Sequence, residues 1–440
     1  VSNPELVLKL FLQLTVILAT CRLVVLVGRY LGQTPVVGEM IAGVLLGPSL
    51  FGLLAPSAQQ WLFPTQALIK VGDVTMATSH PSMAILYGIS QIGLALYMFL
   101  VGLEFNGALF RQQLKGAGLV SGTGVVIPFI LGGAVAMHFY GNADFFRNSM
   151  PPWAVAVYMG ASMSVTAFPV LARILHDKGI ANTRFGTLAL VCGLINDAIA
   201  WCLLAIILAG LKASLHIAVV AIGGGILYVL VMIVFARRAL WTFSRLTERE
   251  NGVTKPTLTV VLMIMMFCAW FTDFIGIHLV FGAFILGTVM PGGRFAGEVR
   301  KNTEFLTTSF LLPVFFVYSG LNTKIGLLNT SKLWVVAGLI ILIAIVGKGL
   351  ACMLAARSAG ETWREAAAIG ALMNARGLME LIILNIGREY GIITQTLFTI
   401  MVLMAIITTV MTSPLFQWIY GRHLQPVTLP AWAMPASHES

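Results

Sequence analysis

Charge is scarce in this sequence. Asp, Glu, Lys and Arg make up 10% of its 440 residues and hydrophobic residues 58%, whereas a soluble domain carries about a quarter charged. That balance excludes an ordinary soluble fold and makes the bilayer the main solvent. Paired cysteines are also missing: Cys21, Cys192, Cys202, Cys268 and Cys352 all lie in apolar stretches, with no CxxC. A disulfide framework or zinc site is therefore not supported. The chain has no HExxH and no GxSxG, and no paired catalytic aspartates, so an intramembrane enzyme has no visible machinery. The last apolar run ends near Tyr420, and no soluble regulatory domain is expected beyond it. The first run, from 5 to 29, lacks a small-residue cleavage pattern and exceeds a signal-peptide core, so it reads as a true span.

What is present is a succession of apolar runs, many near the roughly 20 residues that cross a bilayer as a helix. Charge clusters and Gly/Pro breaks place helices at roughly 5 to 30, 34 to 54, 83 to 106, 116 to 140, 152 to 176, 184 to 210 and 214 to 238. Further helices are expected at roughly 257 to 274, 276 to 291, 304 to 322, 333 to 356, 363 to 387 and 394 to 420. The fold class is thus an all-α polytopic membrane protein of about thirteen transmembrane helices. The net charge of +10 sits in short loops and reads as an orientation signal, not as a nucleic-acid surface. With the amino terminus outside and the carboxyl terminus inside, about 17 of the 27 Lys and Arg residues fall in inner loops.

The two halves of the chain resemble each other. GQTPVVGEMIAGVLLGP places glycines at Gly32, Gly38 and Gly43, and GIHLVFGAFILGTVMP repeats the spacing at Gly276, Gly282 and Gly287. FLVGLEFNG around Gly102 answers FVYSGLNTKIG around Gly320, and GASMSVTAFPVLARIL from Gly160 answers GALMNARGLMELIIL from Gly370. Because an odd number of spans separates the copies, they face opposite ways. Inverted repeats of this kind are found in secondary transporters that work by alternating access.

Within the third matched pair, both helices are irregular. Pro169 cannot donate a backbone hydrogen bond and crowds the carbonyl four residues earlier, which leaves unpaired backbone near Val165 and Thr166. The partner segment carries Asn374, Arg376, Gly377 and Glu380 at the expected membrane centre. Irregular backbone at that depth is tolerated only where protein or water covers it. Two interrupted helices crossing near the midplane are expected, with Ser164, Thr166 and freed carbonyls lining a cation site. The plainer alternative for Ser164 and Thr166 is a proline kink whose hydroxyls satisfy their own backbone.

Asp197, in CGLINDAIAWCLLAII, lies more than ten residues from Arg184 and about fifteen from Lys212, too far to reach either interface. An ionisable residue that deep is a functional-site candidate by default. Asn196 beside it offers hydrogen bonds without a second charge. Lys348, in AIVGKGLACML, is equally deep and is the expected counter-ion for Asp197. Arg376 and Glu380, four residues apart, make an intrahelical pair that compensates its own charge. Glu39, Glu104 and Asp273 fall near predicted helix ends, where solvated or capping roles are expected, and His278 beside Asp273 reads as part of a surface loop.

At these motifs the sequence resembles the monovalent cation/proton antiporter superfamily, in particular the branch of bacterial sodium or potassium/proton antiporters and plant cation/proton exchangers. The similar segments are TPVVGEMIAGVLLGPSLFG, LYMFLVGLEF, SVTAFPVLARIL, LINDAIAW, LLPVFFVYSGL and MNARGLMELIILNIG, which span nearly the whole chain. The resemblance implies a sodium/proton antiporter-like fold with a mobile core domain and a dimerisation domain, working as a homodimer by an elevator movement. The core is expected in the helices at about 83–210 and 304–420, and the dimerisation scaffold in those at about 5–54 and 214–291. The resemblance places the family's cation-binding aspartate on Asp197, its preceding residue on Asn196, its unwound segment on Val165 to Phe168 and its core lysine on Lys348. The better-studied electrogenic members of the family it resembles have Asp before the binding aspartate, whereas here that residue is Asn196.

The function expected is secondary active exchange of a monovalent cation, Na+ before K+, for H+, with cation and proton competing for Asp197. A bacterial cytoplasmic membrane is the expected location, and no cofactor is expected beyond the transported ions. A sodium-coupled symporter of an organic anion, clamped by Arg376, is the rival reading. A channel is disfavoured by the lack of a repeated selectivity-filter segment.

Overall fold

A computed structural model of the chain describes residues 3–421 except 31–32, 34, 65, 72–73, 104–106, 148–149, 181–182, 212–214, 251 and 322–324. It is nearly all helical. The first two expected spans are α1 (Asn3–Tyr30) and α2 (Pro35–Leu46); Pro35 opens α2 where its missing N–H costs nothing. After Leu46 come two short helices, α3 (Phe51–Leu54) and α4 (Pro56–Leu62), and an antiparallel hairpin of β1 (Gln66–Val71) and β2 (Val74–Ser79). α3 is the end of the span expected at 34 to 54, which breaks after Leu46, while α4 and the hairpin fill an interval in which no helix was predicted. α5 (Pro81–Leu103) and α6 (Gly107–His138) follow, the latter with Pro128 inside it.

Next are α7 (Pro152–Ser164) and α8 (Phe168–Asp177), which together fill one expected span, then α9 (Arg184–Leu211) and α10 (Leu215–Val231). A π-helical turn, Met232–Ala236, carries α10 into α11 (Arg237–Arg249), and α12 (Lys255–Phe274) and α13 (Leu279–Val289) come after it. The helix expected from 304 starts earlier. Gly293, at φ 70°, turns the chain, and α14 (Arg294–Leu306) runs through a second π turn, Thr307–Leu311, into α15 (Leu312–Gly320). α14 buries Phe295, Val299 and Thr303 and leaves its five charged residues exposed or half-buried, so its amphipathic run did not read as a span.

The chain closes with α16 (Ser331–Ser358), α17 (Trp363–Met373), α18 (Leu378–Glu389) and α19 (Gln395–Tyr420). Thr330 caps α16, Thr394 caps α19, and Thr362 with Glu365 forms a reciprocal capping box on α17, each satisfying donors that a helix start leaves unpaired. Among the described residues, eight helices are long and apolar enough to cross a membrane.

The helices pack in two groups. In one, α5 runs along α13, α2 lies between α1 and α15, and α12 covers α13. In the other, α6 is flanked by α7, α9 and α16, while α17 packs on α16 and α19, and α18 on α19 and α7. The helices near 83–106 and 304–322, expected in the core, pack with α13 and α2. Glycines shape these contacts. A Cβ at Gly102 would sit 2.9 Å from the Cα of Gly287, and one at Gly320 would sit 2.7 Å from the Cα of Gly43. At these two crossings the backbones touch directly, which holds α5 on α13 and α15 on α2. Gly102→Val should therefore lower stability by about 1–3 kcal/mol through overpacking, read as a fall in the thermal unfolding midpoint of the detergent-purified protein. An unchanged midpoint would mean that the crossing relaxes freely.

Candidate functional site

Both predicted breaks are present, and they cross. α7 ends at Ser164, Val165 is extended (φ −67°, ψ 141°), and α8 begins at Phe168. Pro169 thus stands in the first turn of a new helix, where its missing N–H is tolerated. α17 ends at Met373 and α18 begins at Leu378. The two extended stretches are tied by main-chain and side-chain bonds: Ala167 N–H donates to the Ala375 carbonyl at 3.0 Å, and the Thr166 hydroxyl reaches the Met373 carbonyl at 3.4 Å.

A helix that stops in mid-protein leaves its last four carbonyls without intrahelical partners. All four at the end of α7 are met by side chains. The Ser164 hydroxyl donates to the Ala161 carbonyl at 2.9 Å. Arg376 donates through Nη1 to the Ser162 carbonyl at 3.3 Å and through Nη2 to the Met163 carbonyl at 2.8 Å. The Lys348 ammonium donates to the Ser164 carbonyl. Two cationic side chains thus cap the negative end of one half-helix, as the helix dipole favours.

This changes the role read for Lys348. It was expected as the direct counter-ion of Asp197, but its ammonium goes to the end of α7, and Asp197 acts on it only as a longer-range electrostatic partner. Arg376 and Glu380 do form the expected i, i+4 pair, with Nη1 to Oε2 at 3.6 Å and both side chains fully buried. The carbonyl contacts of Arg376 are the shorter ones. With both Nη atoms so engaged, Arg376 is not presented as a clamp for an organic anion.

Asp197 lies on α9, which packs against α7 and α8. It is 5% exposed. The backbone N–H of Phe168, at the start of α8, donates to its carboxylate, while Oδ1 is buried with no hydrogen-bond partner. The neighbouring Asn196 donates through Nδ2 to the Thr166 hydroxyl at 3.0 Å, and its Oδ1 is likewise without a partner. Leaving a buried polar atom unpaired costs about 1–3 kcal/mol, more for a charged group. Two such oxygens on adjacent residues, next to the unwound stretch, therefore call for a partner of opposite character. Hard oxygen donors with a single carboxylate suit a small monovalent cation or a proton. Of the expected ligands, Asp197, Asn196 and Thr166 belong to one connected group. Ser164 joins through its carbonyl to Lys348, and its hydroxyl turns back onto its own helix.

Sequence reasoning missed Thr409. Its hydroxyl, on α19, receives the Arg376 N–H at 3.0 Å and donates towards the Arg376 and Ala405 carbonyls at 2.8 and 2.7 Å. It fastens the α17–α18 break from behind. Thr409→Val keeps the shape and removes those bonds, so a loss of about 1–3 kcal/mol is expected, again measured as thermal stability in detergent. Tyr158 was also missed: its hydroxyl donates to the Ile383 carbonyl at 3.0 Å and joins α7 to α18. Glu39 differs from expectation, being buried within α2. Asp273 is exposed at the α12–α13 turn and accepts from the Leu279 N–H, and His278 accepts from Val280 N–H as the cap of α13. Glu104 lies outside the described residues.

Known proteins place this architecture. Residues 15–419 match the family model described as "Sodium/hydrogen exchanger, transmembrane". The chain is 42% identical over 416 residues to the Na(+)/H(+) antiporter NhaS4 of Synechocystis sp., covering 94% of this chain and 97% of that one. It is 33% identical over 430 residues to the K(+)/H(+) antiporter 1 of Saccharomyces cerevisiae, covering 95% of this chain and 47% of that longer protein. The solved structure of the sodium proton antiporter MjNhaP1 from Methanocaldococcus jannaschii superposes with a TM-score of 0.62 at 14% identity, over 95% of this chain and 98% of that one, so the two share the fold. With a family match running through nearly every helix and a broken-helix crossing built around a buried aspartate, the chain belongs to the sodium/hydrogen exchanger family.

Proposed function

We propose that the protein exchanges a monovalent cation for protons across the membrane, with Na+ as the first candidate and K+ as the second, and that Asp197 binds either ion in turn. The observation that carries this reading is the partnerless Oδ1 of a carboxylate buried beside an unwound helix. The similarity to proteins named as Na(+)/H(+) and K(+)/H(+) antiporters supports it. A cation at that oxygen, with Asn196 Oδ1 and the Thr166 hydroxyl as neutral ligands, satisfies the same group that a proton satisfies. The two cannot occupy it together, and exchange follows from that competition. A bare carboxylate is costly to move through apolar surroundings, which holds uncoupled traffic down.

The wider reading has about thirteen crossings, two inverted repeats and alternating access in a homodimer of the bacterial cytoplasmic membrane, with the amino terminus outside and no cofactor. The inverted repeat is supported by the glycine crossings. Gly43 on Gly320 and Gly287 on Gly102 are the same contact under the sequence correspondence of the two halves.

The test is cation-induced dequenching of a pH-sensitive dye in proteoliposomes, run with Na+, K+ and Li+. One responding cation establishes exchange and names the ion; silence with all three overturns the reading. Competition at one carboxylate also fixes a sign. As pH falls, the apparent KM for the cation should rise while the rate at saturating cation holds, and a KM that is flat with pH would argue for separate sites.

A further inference from the structure

Phe168 faces two ways. Its backbone N–H donates to Asp197, and its ring is buried between the two helix groups. On one side the ring lies against α9 one turn before the aspartate, where a Cβ at Gly193 would come 3.1 Å from Phe168 Cδ2. On the other it meets Phe284 of α13 edge to face, with centroids 5.4 Å apart and an interplanar angle of 85°. Both rings are 2% exposed. Phe284 stands on a fixed support, because α13 is locked to α5 at the Gly102–Gly287 crossing. The contact is an aromatic edge on an aromatic face, worth about 0.5–1.5 kcal/mol beyond its buried area, and it joins the carboxylate's own hydrogen-bond donor to the opposite helix group.

We propose that Phe284 is a positioning residue that seals the Asp197 site: its ring, pressed on Phe168, closes the apolar seam between the two helix groups and must part from Phe168 for water to reach the carboxylate along that seam. The inference rests on the exchange reading above. An apolar seal fits this place for a physical reason. Two rings separate and re-form without leaving a polar group unpaired, whereas a hydrogen-bonded seal would add a desolvated donor or acceptor at each opening. The ring also keeps the carboxylate's surroundings dry.

The experiment uses full-length protein in proteoliposomes, with an imposed pH step, choline as the sole cation and thiocyanate as a permeant anion to relieve charge build-up. Wild type should hold the gradient. Phe284→Ala should collapse it several-fold faster, Phe284→Tyr, which keeps the ring, should restore the wild-type rate, and Phe284→Ala combined with Asp197→Asn should hold the gradient again, because the leaking proton travels by the carboxylate. Should Phe284→Ala fail to fold, Phe284→Leu fills most of the volume without the ring edge, and the same leak is expected of it. A folded variant that leaks no faster than wild type, or a leak that persists in the double variant, overturns the proposal. The leak is read without any transported cation, so it reports on the seal separately from the Na+-driven signal that tests exchange.

Discussion

Asp197→Asn is expected to reduce cation-dependent proton movement to the level of empty liposomes while leaving the thermal stability at or above that of wild type. Asn has the same shape and keeps an oxygen for the Phe168 N–H. It lacks the charge by which the proposed site would hold a cation and the basicity by which it would hold a proton. The structural effect should be small in the other direction, because an amide replaces a carboxylate whose Oδ1 has no partner and whose burial is unfavourable when charged. The paired measurements are dye dequenching in proteoliposomes and the unfolding midpoint in detergent. A variant that loses exchange and also several degrees of stability would make Asp197 a structural anchor, and one that exchanges normally would remove it from the site.

The largest stability effect is expected at Arg376, not at its carboxylate partner. Arg376→Met leaves the Ser162 and Met163 carbonyls without donors and Glu380 without its cation, all fully enclosed. Breaking a buried charged cluster by removing one member costs about 3–5 kcal/mol. Glu380→Gln removes only the looser, 3.6 Å contact and leaves the end of α7 capped, so its cost should be clearly smaller. Combining Arg376→Met with Glu380→Gln should recover the part due to the stranded carboxylate and no more. Equal losses for the two single variants would show that the ion pair, and not the carbonyl cap, holds the crossing.

Much of this arrangement was legible in the sequence because the membrane makes polarity conspicuous. Pro169, Asn374, Arg376 and Glu380 stand out in apolar helices, and the breaks fall where those residues are. Asp197 stood out for the same reason. What could not be read was which group each charge meets. Lys348 was matched with the opposite charge, but the orphan carbonyls of a half-helix carry no signature in the sequence, and in the fold the Ser164 carbonyl is the nearer acceptor. Thr409 was invisible because a threonine in an apolar helix ordinarily bonds its own backbone, and nothing local says that it also clasps another segment. The glycines of the matched segments were visible as spacing. Their use, backbone against backbone at Gly43–Gly320 and Gly102–Gly287, was not.

The capping of α7 also bears on voltage. Lys348, Arg376 and Glu380 are fastened to the crossing itself, by way of the Ser162, Met163 and Ser164 carbonyls, and whatever charge they carry travels with the site in both directions. Under the exchange proposed at Asp197, only its occupant changes between the two legs of a cycle, and a proton and a monovalent cation bring the same charge to it. Each leg would then move an equal charge in opposite directions, so a full cycle should carry no net current at any clamped potential.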